Sequence, residues 1–133
     1  MWVDGLTVTF EKFTTTWEKS EHTTIVALFR GHIVGIVMVE YIGGDRLQAM
    51  LWNLQTDKEM RRQKIGKKLL DQAEADAAGR GCNSISLEWR AIDSDGWVLD
   101  WYKRNGYKVS EDCYRGCAIR MTKKLKSKRH DKD

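Results

Sequence analysis

Residues 54–70 read LQTDKEMRRQKIGKKLL, and the rest of the chain is organised around this stretch. Ile65, Leu69, Ala73 and Ala77 recur at i, i+4, i+8 and i+12 with Leu70 beside them, the apolar stripe of an amphipathic helix that starts near Lys64. Lys58, Arg61, Arg62, Lys64, Lys67 and Lys68 all fall in the turn before that helix or in its first turn. A helix N-terminus already carries about half a positive charge and unpaired N–H groups, so each cation there costs roughly 0.3–1 kcal/mol. A local rule broken this often points to a compensating function. The simplest is an anion, because free N–H groups, the positive dipole end and basic side chains together make a phosphate site. Two phosphate motifs are excluded. A Walker loop needs a second glycine five residues before Gly66 and a Ser or Thr where Lys68 stands, and a dinucleotide fingerprint needs three glycines where this region has one.

Composition bounds the setting. With 133 residues, 41% hydrophobic and 32% charged, the sequence describes one globular domain large enough to bury a core without staples. The longest uncharged apolar run, Ile33–Val39, is far too short to span a bilayer, and residues 1–10 lack the basic-then-apolar order of a signal peptide, so a cytoplasmic protein with no membrane partner is expected. Cys82, Cys113 and Cys117 are an odd set, which argues against a disulfide framework, and they are too sparse for zinc, so no metal is expected. The net charge of +4 comes from the C-terminus: Lys123–Asp133 holds six basic and two acidic residues, and residues 1–122 hold 17 of each. The expected organisation is a domain over 1–125 and a basic, disordered tail over 126–133.

Alternation and turn signals set the order of elements. Leu6–Phe13 reads as a strand, Thr14–His22 as a turn or short helix capped through Thr15-x-x-Glu18, and Thr23–Arg30 with His32–Tyr41 as a hairpin about Gly31. Arg46–Gln55 is a fourth strand, with Met50, Trp52 and Leu54 on one side and Ala49, Leu51 and Asn53 on the other. The helix from Lys64 ends near Gly79 or Gly81. Asn83–Arg90 is a fifth strand, parallel to the fourth through a right-handed crossover. Asp93, Ser94 and Asp95 supply the N-cap of a helix over Gly96–Arg104, and Tyr107–Val109 and Ala118–Lys124 are the last strands.

Three motifs in this order resemble the GNAT superfamily of N-acetyltransferases. Arg61-Arg62-Gln63-Lys64-Ile65-Gly66 occupies the R/Q-x-x-G-x-G/A loop between strand and helix, with Lys64 at the first glycine, and Leu69-Leu70 matches the apolar pair that follows. Leu87-Glu88-Trp89-Arg90-Ala91 fills L-E-x-R-A, and Trp101-Tyr102-Lys103-Arg104-Asn105-Gly106-Tyr107 fills F-Y-x-x-x-G-F/Y. The resemblance spans Ile36–Tyr107. It departs in a loop two residues longer after Ala91, in Asp95 where asparagine is frequent, and in N-terminal helices reduced to Thr14–His22.

The resemblance implies an α+β domain with a mixed, mostly antiparallel sheet and a parallel central crossover between the fourth and fifth strands. It also implies an acetyl-CoA-dependent N-acetyltransferase in which the amine of a small molecule or protein attacks the thioester directly. Pantetheine would lie against Leu54, Gln55 and Thr56, and the pyrophosphate against the amides of Arg61, Arg62, Gln63, Lys64, Ile65, Gly66 and Lys67, with Asp95 at the start of the last helix. With an ordinary negative φ, Lys64 would still donate its amide while its side chain adds charge. Tyr102 matches the tyrosine that protonates the leaving thiolate; its alternative is a core position beside Val98. Glu88 or Glu40 would be the base, unless water serves. Thin N-terminal cover leaves room for a homodimer partner or for an open site taking a protein amine. The contrasting readings are a non-catalytic acetyl-CoA-binding protein and a nucleic-acid or protein interaction module using the basic tail, which lacks interleaved aromatics.

Overall fold

Val, Ile and Thr are frequent through the first half of the chain, and four consecutive antiparallel strands result: β1 (Thr9–Trp17), β2 (Ser20–Phe29), β3 (His32–Ile42) and β4 (Gln48–Thr56). Then follow α1 (Ile65–Gly79), β5 (Ser84–Arg90), α2 (Gly96–Arg104), β6 (Lys108–Cys113) and β7 (Ala118–Lys124), in one seven-stranded sheet of order β1-β2-β3-β4-β5-β7-β6. The computed structural model describes residues 8–18, 20–43, 47–58, 64–92, 94–113 and 118–126. Among the described residues only β4 and β5 run parallel, as a crossover through a helix requires. Among the described residues no helix is long and apolar enough to cross a membrane.

The N-terminal expectation needs correction. The described residues of Thr14–His22 form no helix: β1 continues to Trp17 and pairs with β2 without interruption, Thr14 opposite Thr23 and Thr15 opposite His22. Three consecutive threonines favour a strand over a helical turn, and the chain reverses at Glu18, which takes a left-handed φ of +55°. At the next reversal Arg30 and Gly31 both have positive φ, the pairing that suits a tight hairpin. The strand expected at Tyr107–Val109 begins at Lys108 and runs on to Cys113.

One face of the sheet carries the core. Val39, Leu51, Leu87 and Met121 stand side by side across four strands, and Tyr41, Ala49 and Ile85 form the neighbouring row. All are buried, and the α1 stripe of Ile65, Leu69, Leu70, Ala73 and Ala77 lies in the same cluster. Gly35 lets the helix approach β3: a Cβ there would come within 2.8 Å of Leu69 Cδ1 and 3.0 Å of Ile65 Cγ2. At its other end α1 is fastened by Asp76, whose side chain is only 7% exposed. Asp76 accepts from Tyr41 Oη at 2.6 Å, Lys12 Nζ at 3.1 Å and Arg80 Nε at 3.2 Å. Arg80 also donates to Glu21 and to Thr23 Oγ1, and its guanidinium lies 4.4 Å from the Tyr41 ring centroid. Burial alone would raise the Asp76 pKa, but hydrogen bonds from Tyr41, Lys12 and Thr23 and the Arg80 charge leave it below the usual carboxylate value. The carboxylate is thus ionised, and β1, β2 and β3 are bound to one turn of helix. Tyr107 Oη and Lys123 Nζ each donate to Glu74 at 2.9 Å, joining the same helix to the β6–β7 side.

Both Leu69 and Ile65 are fully buried, so neither can swing away from an added methyl at Gly35. Gly35→Ala should therefore destabilise the fold by about 1–3 kcal/mol through overpacking. A melting temperature equal to that of the parent would show that α1 does not sit this close to β3.

Candidate active site

Where β4 and β5 part, the sheet opens. They pair only at Ala49–Ile85, Met50–Ser86 and Leu51–Leu87, and residues 52–56 have no partner on the β5 side. The cause is a bulge: the β3–β4 register jumps between Ile36 and Met38, so Asn53 and Leu54 both stand against Val37, and Asn53 takes φ +56°. A bulge bends its strand and increases local twist. It also overturns the expected alternation, since Asn53 is exposed instead of joining buried Ala49 and Leu51. Beyond it Leu54, Gln55 and Thr56 turn toward the gap, and the Asp57 amide donates to Val34 O at 2.8 Å, tying the strand end to β3.

The gap is a cleft of about 640 Å³, within the roughly 300–1,000 Å³ of ligand pockets. Its walls are Leu54, Gln55 and Thr56 of β4, Lys64, Gly66 and Lys67 at the entry of α1, and Ser94, Asp95, Trp97, Val98, Trp101 and Tyr102 at and along α2, with Lys58 at the rim. Three cations therefore meet the amides of a helix with no acidic residue in its first turn. Lys67 shares its charge with Asp71 at 2.7 Å, an exposed i,i+4 pair. Lys64 does not have the ordinary φ: it is left-handed, at φ +60° and ψ +29°. This is the conformation glycine adopts freely, and a lysine holds it at a cost of about 1–2 kcal/mol. Lys64 thus takes a conformation open to glycine at the position where the motif has one.

Ile65 is fully buried in the core, so only its backbone can serve the cleft. Arg61, Arg62 and Gln63 lie outside the described residues, as does Asp93. Asp95 occupies the N-cap position of α2 but makes no side-chain cap; it accepts from Trp97 Nε1 at 3.3 Å, and its carbonyl accepts from Trp89 Nε1 at 3.1 Å. The indole of β5 thereby holds the start of α2 against the sheet.

Tyr102 faces the cleft from the interior. Its ring meets those of Trp101 and Tyr107 edge-on, at 5.2 and 5.6 Å between centroids. Burial pushes its pKa up to about 12, so the hydroxyl keeps its proton throughout the neutral and mildly alkaline range. Glu88 is placed differently. It projects from the sheet face opposite buried Leu87, lies 3.7 Å from Arg120 Nη2 and does not line the cleft. Glu40, the other carboxylate considered, accepts from Trp52 Nε1 at 3.0 Å and lies 3.7 Å from His22 Nε2. Reading the residues in order missed Ser94 and Val98, which enter the lining only because α2 lies along the gap.

A family profile described as an acetyltransferase (GNAT) domain matches residues 20–109. The chain belongs to the GNAT acetyltransferase family. Among solved structures, a PaiA N-acetyltransferase from Thermoplasma acidophilum in complex with coenzyme A is 27% identical with a TM-score of 0.66, covering 78% of this chain and 61% of its own. A GNAT-family acetyltransferase from Staphylococcus aureus is 24% identical, with a TM-score of 0.64 and coverage of 79% and 68%. An IAA acetyltransferase from Bacillus cereus is 21% identical, with a TM-score of 0.62 and 78% of both chains covered. Curated protein sequences give no match. Acetyl-CoA is the family's cosubstrate, and the cleft fits its parts: cations and helix amides for phosphates, an unpaired strand edge for amides, and an apolar floor.

Gly66 provides a separable test of that fit. A Cβ there would lie 3.5 Å from Thr56 Cγ2 and 3.9 Å from Trp101 Cζ2, ordinary contacts that strain nothing but fill the floor of the cleft. Gly66→Ala should thus raise stability by about 0.5–1 kcal/mol through helix propensity while weakening coenzyme A binding in calorimetry. Unchanged affinity in a folded variant would mean that coenzyme A does not reach this floor.

Proposed function

We propose that the protein is an N-acetyltransferase that moves the acetyl group of acetyl-CoA to a primary amine of a small molecule or protein by direct attack. The observation that carries this reading is the position of Tyr102: a buried, protonated tyrosine lining a cleft that Lys58, Lys64 and Lys67 also border. When bound, acetyl-CoA supplies an activated acetyl group and a thiolate leaving group. Leu54, Gln55 and Thr56 offer free backbone groups along the unpaired strand edge to hold the pantetheine, and Lys58, Lys64, Lys67 and the first amides of α1 hold the phosphates. The neutral amine attacks the thioester carbonyl, the carbon–nitrogen bond forms and the carbon–sulfur bond breaks. Tyr102 Oη gives its proton to the departing sulfur, and the proton released by the amine leaves to solvent or a carboxylate.

The pKa order decides how Tyr102 can act. With Tyr102 at about 12 and a thiol near 8.5, complete transfer at equilibrium is uphill by about 5 kcal/mol. Donation must therefore accompany cleavage of the carbon–sulfur bond, with solvent reprotonating the tyrosine after release.

Three measurements test the proposal. Millimolar acetyl-CoA should raise the melting temperature, because a ligand that prefers the native state stabilises it. No shift in melting and no change in amide spectra would sink the cofactor reading. Once an amine screen supplies an acceptor, Tyr102→Phe should lower kcat by about 10²-fold and leave acetyl-CoA affinity and melting nearly unchanged, since the ring packing against Trp101 and Tyr107 survives. The parent rate should climb as the amine loses its proton, with no falling limb from Tyr102 until the pH approaches 12. An unaltered kcat in Tyr102→Phe would refute its role as the acid.

A further inference from the structure

The two edges of the sheet are built differently. At one end β6 is six residues long, KVSEDC, carries three charges, and has a register break between Val109 and Glu111. Short length, charge and a bulge are the usual devices that keep an edge strand from pairing with another chain. At the other end β1 is nine residues, TFEKFTTTW, exposed along nearly its whole length and paired to β2 in a register without a break. It has no proline, and its two charges are of opposite sign. Phe13 is 49% exposed and Trp17 71% exposed, both on the face away from α1.

We infer that β1 is an interface for a second copy of this chain, joined antiparallel about a two-fold axis through Phe13 to make a continuous sheet of two domains. A second copy can pair with the whole length of this strand only in this register. Pairing about Phe13, the middle residue, uses all nine positions: Phe13 meets its own copy, Thr9 meets Trp17, Phe10 meets Thr16, Glu11 meets Thr15 and Lys12 meets Thr14. No like charges stand opposite one another. Shifting the axis by one residue to Lys12 brings two lysines together, and shifting it to Glu11 brings two glutamates together, each unfavourable in a cross-strand pair. On the face away from α1 the two Phe13 rings meet at the axis and a Trp17 ring lies toward each end, with the Glu11–Thr15 pairs between them.

Sedimentation of the full chain should give twice the 15.4 kDa chain mass at micromolar concentration. Phe13→Cys should form an inter-chain disulfide under mild oxidation, because side chains facing each other across an antiparallel pair are about 4.5–5.5 Å apart at Cβ. Thr16→Cys should not, since the two copies of residue 16 are displaced by six residues, about 20 Å along the strands. The parent, with its own cysteines, provides the background. Charge gives an independent reading at an exposed position: Thr15→Glu, facing Glu11 of the other copy, should weaken the dimer on the order of tenfold relative to Thr15→Lys. A monomeric parent, a cross-link at Thr16 as strong as at Phe13, or equal dimerisation by the two Thr15 variants would each overturn the inference.

Discussion

The brevity of the parallel ladder between β4 and β5 is the constraint from which the site follows. Three paired positions are enough to keep the sheet continuous across its middle, and the core rows through Leu51–Leu87 and Ala49–Ile85 need nothing beyond them. Past Leu51 the bulge at Asn53 turns β4 away, and the backbone groups it frees are not lost to the protein: they become the edge along which a ligand can lie. A buried strand with unpaired groups would be costly, so the opening is tolerable only because water or a ligand reaches it. Gap and core are thus two parts of one strand, separated by a single left-handed residue.

The helix that borders the gap is held from both ends and along its length. Gly35 brings Ile65 and Leu69 onto β3, Asp76 takes three donors from β1, β3 and the helix terminus, and Glu74 joins the β6–β7 side through Tyr107 and Lys123. A helix so fixed can hold its first turn in an unfavourable arrangement. Lysine in a left-handed conformation and cations at a positive dipole end both oppose stability locally, and both lie at the mouth of the cleft. The strain is confined to residues that face the ligand space.

Much of this was legible in the residues. The stripe Ile65, Leu69, Ala73 and Ala77 located α1, and the turn residues around Gly96–Arg104 located α2 to the residue. The strand order from Thr23 onward followed from alternation and from Gly31. The failures share a cause: they concern backbone conformations set by tertiary contacts. Asn53 tolerates positive φ but does not announce it, and Lys64 gives no sign of it at all. The Thr14–His22 segment carried a capping pattern, Thr15-x-x-Glu18, that loses to the four pairs Thr14 to Trp17 make with β2. That Arg120 stands beside Glu88 depends on the β5–β7 register, which no local pattern shows.

The order of the strands also imposes a timetable on folding. From β1 to β4 each strand pairs with the next one made, through short reversals, so these contacts close small loops and cost little chain entropy. The pair β4–β5 cannot form until the whole of α1 has been laid between them, and the β6–β7 pair joins the sheet only when β7 reaches β5. A chain emerging from its N-terminus can therefore complete the four-stranded meander while the later elements are still absent. The cleft, which needs α1 and α2 in place beside the end of β4, cannot exist until that later half has been made.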